Sequence, residues 1–289
     1  MTLHEWWIAP FDDFGFMRRA LMACLALGLG AGPVGVLLML RRMSLVGDAL
    51  SHAVLPGAAI GFLIAGLSYP AMGAGGLVAG LVVALLSGQV SRETVLKEDA
   101  TFATFYLTSL AAGVLIVSLR GSNVDLLHVL FGTILAIDAD AIRLVGLIAT
   151  LTWMSLALVW RPLVAECFDP DFLRMVGGHG RGQHLLFLAL VVINLVAGFQ
   201  TLGTLMAVGL MMIPAAVARL WARTLTGMVL VAMGVAWSSG YLGLLISFHA
   251  HLASGPAIVL TASALFILSL GFAPGGVARR LFTRPHLAH

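Results

Sequence analysis

The chain reads as an all-α, polytopic membrane protein of eight to nine transmembrane helices, and three observations lead there. Of its 289 residues, 60% are hydrophobic and only 10% charged, where a soluble domain carries about 25% charged residues. Apolar runs approaching the roughly 20 residues needed to cross a hydrocarbon core recur along its length. The links between them are short, so residues 1–289 form a single transmembrane domain without room for a soluble one.

Residues 1–17 come first. MTLHEWWIAPFDDFGF is acidic and aromatic and lacks the basic start of a cleaved signal peptide. Trp6, Trp7, Phe11, Phe14 and Phe16 predict an anchor lying along the membrane surface, a loose tail being the alternative. Spans are then expected over Leu21–Leu40, Ala49–Leu67, Gly73–Val90 and Thr101–Leu119. Leu126–Ile137 is apolar but too short to cross, which predicts a partial helix within the bundle. Ala139–Trp160 is the fifth span, followed by a polar, mixed-charge loop over residues 161–182. Leu185–Phe199 and Thr201–Leu220 make either two crossings or one broken one, because GFQTLG is a very tight turn. Leu225–Ile246 and Pro256–Phe272 complete the set, and residues 273–289 form a basic tail.

Charge placement orients the bundle. With nine crossings and the N-terminus outside, all of the 16 Lys and Arg residues except Arg18, Arg19, Arg120 and Arg143 fall on the inner side. That asymmetry is the positive-inside signal, and it puts the 161–182 loop in the cytoplasm. Eight crossings would send the basic tail outside. The net charge of +3 gives no reason to expect a nucleic-acid partner. The two cysteines, Cys24 and Cys167, make a disulfide framework or a cysteine metal cluster untenable. Glycines paired at four-residue spacing, Gly28/Gly32, Gly57/Gly61 and Gly76/Gly80, predict helices in close backbone contact.

Several chemistries are absent. No H-E-x-x-H or G-x-S-x-G occurs, and no glycine-rich phosphate loop precedes Lys97, the only lysine. If ATP drives this protein, the ATPase is another chain. Two stretches remain informative. In RRMSLVGDALSHAVLPG, Asp48 and His52 stand at i, i+4 and share one helix face. Inside a membrane such a pair needs a partner. Carboxylate and imidazole suit divalent Mn, Fe or Zn, and a two-fold dimer would bring a second pair to the axis. The competing reading makes Asp48 an N-cap of the second span and His52 a hydrogen-bonded bundle residue. In FDPDFLRMVG, Asp169 and Pro170 resemble an N-cap and first helical residue, with Phe172, Leu173 and Met175 apolar. That is either a docking helix for a soluble partner or a plain connection.

Taken together, MSLVGDALSHAVLPGAAIGF, KEDATFATF, LLHVLFGTIL, FDPDFLRMVG, TLGTLMAVGLMMIPAAVARL and SFHAHLASGPAIVL resemble, in order, the permease subunits of zinc/manganese ABC importers. The resemblance spans about Arg18 to Phe272. It implies a type II importer bundle, like that of the B12 permeases, in a bacterial inner membrane. It implies a homodimer working with a cytoplasmic ABC ATPase and an extracytoplasmic metal-binding protein, embedded in lipid. ATP would act on the partner subunit, Zn(II) or Mn(II) would be cargo (iron is also compatible), and no cofactor would be permanently bound. It further implies that Asp48 and His52 line the ion path, and that Asp169, Pro170, Phe172, Leu173 and Gly177 belong to the ATPase-coupling element. Thr133 stands where the family often has an acidic residue. His249 and His251, in an expected outer loop, are further candidates to receive the ion. The rival readings are a permease for a metal chelate or vitamin, a channel or secondary carrier, and an intramembrane enzyme using Asp48 and His52 as acid and base.

Overall fold

A computed structural model describes residues 3–66, 68–120, 137–168 and 180–276. These residues form helices and connections, with no strand among them. Two short helices, α1 (Leu3–Trp7) and α2 (Ala9–Asp13), precede the bundle. The bundle consists of α3 (Gly15–Leu40), α4 (Ser44–Ala65), α5 (Tyr69–Glu93), α6 (Glu98–Arg120), α7 (Ala139–Phe168), α8 (Gly180–Leu202), α9 (Thr204–Trp221), α10 (Leu225–Ala250) and α11 (Ser254–Phe272). All nine are long and apolar enough to cross a membrane. The partial helix expected at Leu126–Ile137, the coupling element and the basic tail lie largely or wholly outside the described residues.

The helices exceed their expected spans at both ends, most of all at the inner end of α7. α4 starts at Ser44 rather than Ala49, and α7 continues through Arg161 and Pro162 to Phe168. Hydropathy marks only the part of a helix that must avoid water, whereas the hydrogen-bond ladder can continue into the headgroup region. The start of α4 also removes the capping reading, since Asp48 lies inside the helix and Met43 is its N-cap.

The tight turn separates two helices. Gly203 breaks the chain at φ 89°, and a methyl group added to Gly198 would collide with Ala207. In a continuous helix those two residues would stand about 13 Å apart, so the chain folds back on itself there.

α3 and α8 are the innermost helices, each with 72% of its apolar span buried, whereas α6 has 17%. α3 packs on α4, α7, α8, α9 and α10. Several polar groups inside the bundle find partners on neighbouring helices, as a low-dielectric interior favours. Asn194 of α8 donates to Thr152 of α7 at 2.8 Å and to the Leu190 carbonyl at 2.9 Å. The Trp153 and Trp237 indoles donate to the Leu29 and Leu25 carbonyls of α3.

The glycine pairs mark close approaches. A methyl on Gly57 would strike the Gly75 carbonyl, and one on Gly61 the Ala71 carbonyl, so α4 and α5 meet backbone to backbone. Gly28 and Gly32 face α10 at Trp237 and Met233, while Gly76 and Gly80 accommodate Val54. α1 and α2 fold onto the end of α10: Trp7 and Phe11 stack on Tyr241, and Trp6 stacks on His249. The expected anchor is therefore a packed aromatic collar, with Trp6, Trp7 and Phe14 still exposed.

Candidate functional site

Asp48 and His52 are positioned by the first turns of α4. Arg41 closes α3, Arg42 takes a left-handed φ of 60°, and Met43 N–H returns to the Leu38 carbonyl at 2.9 Å. This is a Schellman-type stop with arginine where glycine is usual. α4 leaves this elbow, and His52 lies about 12 Å along it, nearer its inner than its outer end. His52 Nε2 stands 3.8 Å from Asp48 Oδ1. Ser51 Oγ donates to the Asp48 carbonyl at 2.7 Å, and the Tyr106 ring of α6 lies 6.1 Å from that of His52.

The pair is open. The Asp48 side chain is 65% exposed and that of His52 41%. Leu45 and Leu55 continue the same face at helical spacing, Leu45 exposed and Leu55 half-buried, whereas Ala49, Leu50, Ala53 and Val54 on the opposite side are buried. A carboxylate and an imidazole within a membrane-spanning helix are costly against lipid and favour a protein-lined or water-filled surrounding for this face. Pro56 adds one more feature. Its missing N–H leaves the His52 carbonyl oxygen without an i+4 donor, on the C-terminal side of the pair. The Pro56 ring itself packs on Gly113 of α6.

His249 and His251 lie elsewhere, at the far end of α10. His249 Nε2 donates to the Trp6 carbonyl at 3.0 Å, beneath the stacked indole. His251 closes α10 in a left-handed conformation at φ 53°. The structure does not bring either near Asp48, which sits on the opposite side of the bundle. Asp169, Pro170, Phe172, Leu173 and Gly177 fall outside the described residues, as does Thr133. No group of three or more His, Cys, Asp or Glu side chains suited to a metal occurs among the described residues. Of the candidate ion ligands, the described residues thus bring together the Asp48/His52 pair.

Sequence reasoning missed a second polar constellation, at the inner ends of four helices. Arg41 Nη2 binds Glu166 Oε2 of α7 at 2.8 Å, and Arg41 Nη1 lies 3.2 Å from His184 Nδ1 of α8. His184 Nε2 is 2.9 Å from Glu98 Oε1 at the start of α6. Arginine only donates, so His184 Nδ1 accepts from the guanidinium, whereas the Nε2–Glu98 approach is close in distance without hydrogen-bond alignment. The guanidinium also rests 4.4 Å over the Phe187 ring. Carboxylates at span edges were the available signal; partners 125 and 143 residues away in sequence were not.

Comparison with known proteins places this architecture. Residues 13–273 match the model of the ABC 3 transport family. The manganese import system permease protein ScaB of Streptococcus parasanguinis is 35% identical over 268 residues, covering 92% of this chain and 94% of that one. The chelated iron transport system membrane protein YfeC of Yersinia pestis is 31% identical, covering 98% and 95%. Among solved structures, PsaBC from Streptococcus pneumoniae in complex with Fab superposes at a TM-score of 0.83 with 30% identity, over 98% of this chain and 100% of that one. Nine helices among the described residues long and apolar enough to cross a membrane, and these matches over nearly the whole length, agree: the chain belongs to the ABC 3 transport family and is a multi-pass permease of the bacterial cell membrane rather than an enzyme.

Proposed function

We propose that this chain is the permease of an ATP-driven importer of divalent metal ions, with manganese as the first cargo to test and zinc and iron as its chemical neighbours. The observation that carries the reading is the open face of α4, where Asp48 and His52 stand unenclosed in a membrane span. A second protomer across a two-fold axis would cover that face and double one oxygen and one nitrogen ligand into a four-ligand site. Such a mixed set suits Mn(II), Fe(II) and Zn(II). It also holds an ion loosely enough for release, which conduction requires. Relatives named for manganese import support the cargo.

In this reading an extracytoplasmic binding protein delivers the ion to the outer face, and a cytoplasmic ABC ATPase docks on residues 169–177 and drives the change of access. Asp169, Pro170, Phe172, Leu173 and Gly177 form the docking element, while His249 and His251 stand at the entrance. A relative named for chelated iron gives the second reading, a permease for a metal chelate. Uptake of radiolabelled manganese by cells lacking their own copy separates the two. Expression of this chain with its ATPase restores free-ion uptake, and Asp48→Ala or His52→Ala abolishes it at unchanged membrane abundance. Uptake untouched by both substitutions would refute the role given to the pair.

A further inference from the structure

The Arg41, Glu166, His184 and Glu98 constellation joins elements of the permease that the proposed cycle must connect. Glu166 lies in the last turn of α7 and His184 in the second turn of α8. These two helix ends bracket residues 169–179, to which the docking of the ATPase is assigned above. Arg41 is the C-cap of α3 and the first residue of the elbow from which α4 leaves with Asp48 and His52. Glu98 opens α6, whose Tyr106 faces His52. The contacts are short and mostly enclosed. Side-chain exposure is 6% for Arg41, 12% for Glu166 and 7% for His184.

Chemistry argues against a resident metal at this place. The guanidinium already occupies the centre, bonded to Glu166 and to the lone pair of His184 Nδ1. Stability alone is a weak reason for such a cluster, because apolar side chains of like volume often stabilise a buried site as well or better. The carboxylate of Glu166 also stands at the negative end of the α7 dipole, an unfavourable place offset here by Arg41. What the ionic chain supplies that apolar contacts would not is a directional tie between separate helices.

We propose that Arg41, Glu166, His184 and Glu98 are positioning residues that couple the two sides of the ATPase-docking segment to the α3–α4 elbow, so that displacement of the docking segment moves the helix carrying the ion ligands. The chain runs from α7 through Arg41 to the elbow, and from α8 through His184 to both Arg41 and α6. This proposal rests on the importer reading above.

The test uses the permease co-purified with its ATPase and reconstituted in liposomes, measuring manganese transported and ATP hydrolysed in the same vesicles. Glu166→Gln and His184→Leu are expected to keep ATP hydrolysis within about twofold of wild type while ions moved per ATP fall about tenfold, within the range residues in coupling networks contribute. The paired replacement Arg41→Met/Glu166→Met guards against simple misfolding. It is expected to hold thermal stability at or above wild type yet leave ions per ATP depressed. A wild-type ratio in the single variants overturns the coupling role, as does recovery of that ratio in the apolar pair. Wild-type vesicles that hydrolyse ATP without moving manganese overturn the importer reading, and this proposal with it. Wild-type transport that survives Asp48→Ala, with the coupling variants still defective, removes only the ion-site assignment.

Discussion

Trp153 Nε1 on α7 lies 3.0 Å from the Leu29 carbonyl on α3, the carbonyl that Pro33 leaves without its helical donor. A proline inside a membrane helix needs such a substitute, because no water is present to supply one. Trp153→Phe keeps an aromatic ring, though a smaller one, and removes the donor, and is expected to lower stability by about 1 kcal/mol. In a Pro33→Ala background Leu29 regains its own donor, and the same change should cost much less. Thermal unfolding of the four proteins in one detergent completes the cycle, and equal losses in both backgrounds would show the bond to be incidental.

In α4, Pro56 likewise frees a carbonyl, with the opposite consequence. Pro56→Ala would return an N–H to the His52 carbonyl and relieve the helix of its proline, so the thermal midpoint should not fall. If that carbonyl assists the ion, manganese uptake falls about tenfold, equivalent to about 1.4 kcal/mol of lost interaction. Unchanged uptake kinetics would confine the site to the two side chains.

Crowding differs sharply among the glycines. Gly57→Leu drives a side chain into the Gly75 carbonyl, and should cost about 1–3 kcal/mol or more because neither backbone can yield. Gly234→Ala in α10 meets no atom within 4 Å. It should stabilise by about 0.5–1 kcal/mol through helix propensity. Protein yield and thermal midpoint in detergent distinguish the two.

His251 pays for its left-handed backbone with about 1–2 kcal/mol of strain that glycine lacks. His251→Gly should therefore raise the midpoint, while Ser247 continues to accept the returning N–H of Leu252 at 3.1 Å. His249→Ala should instead loosen α1, read as faster proteolysis within residues 3–13, since it removes the ring stacked on Trp6. A loss of manganese uptake at low ion concentration, without faster cleavage, would assign His249 to ion entry.

The architecture is largely legible in the sequence because burial in lipid acts on every residue of a span. Runs such as Leu225–Ile246 have no other explanation, and the arginines of the inner loops orient them. The glycine spacing likewise announces backbone contact, and Gly57 and Gly61 show it. What hydropathy cannot see is a helix that continues into water. Hence the first turn of α4 and the last two turns of α7 read as connections. The Asp48/His52 spacing is visible since it is local. The bond from Arg41 to Glu166 is not, because 125 residues separate them and nothing in either neighbourhood names the other. Arg41 counts only as a topological charge in the sequence, yet it is bound on two sides in the fold.

The seam between α4 and α5 constrains how the protein can move. With carbonyls of one helix seated against the glycines of the other at Gly57, Gly61 and Gly75, the backbones there meet with little side-chain cushion between them. α4 therefore cannot turn about its own axis independently of α5, and the two behave as a single rigid lever. Gly80 of this lever rides on Val192 of α8, a side-chain contact that can slide. A shift of the α4 backbone that carries Asp48 and His52 would therefore carry α5 with it across its contact with α8.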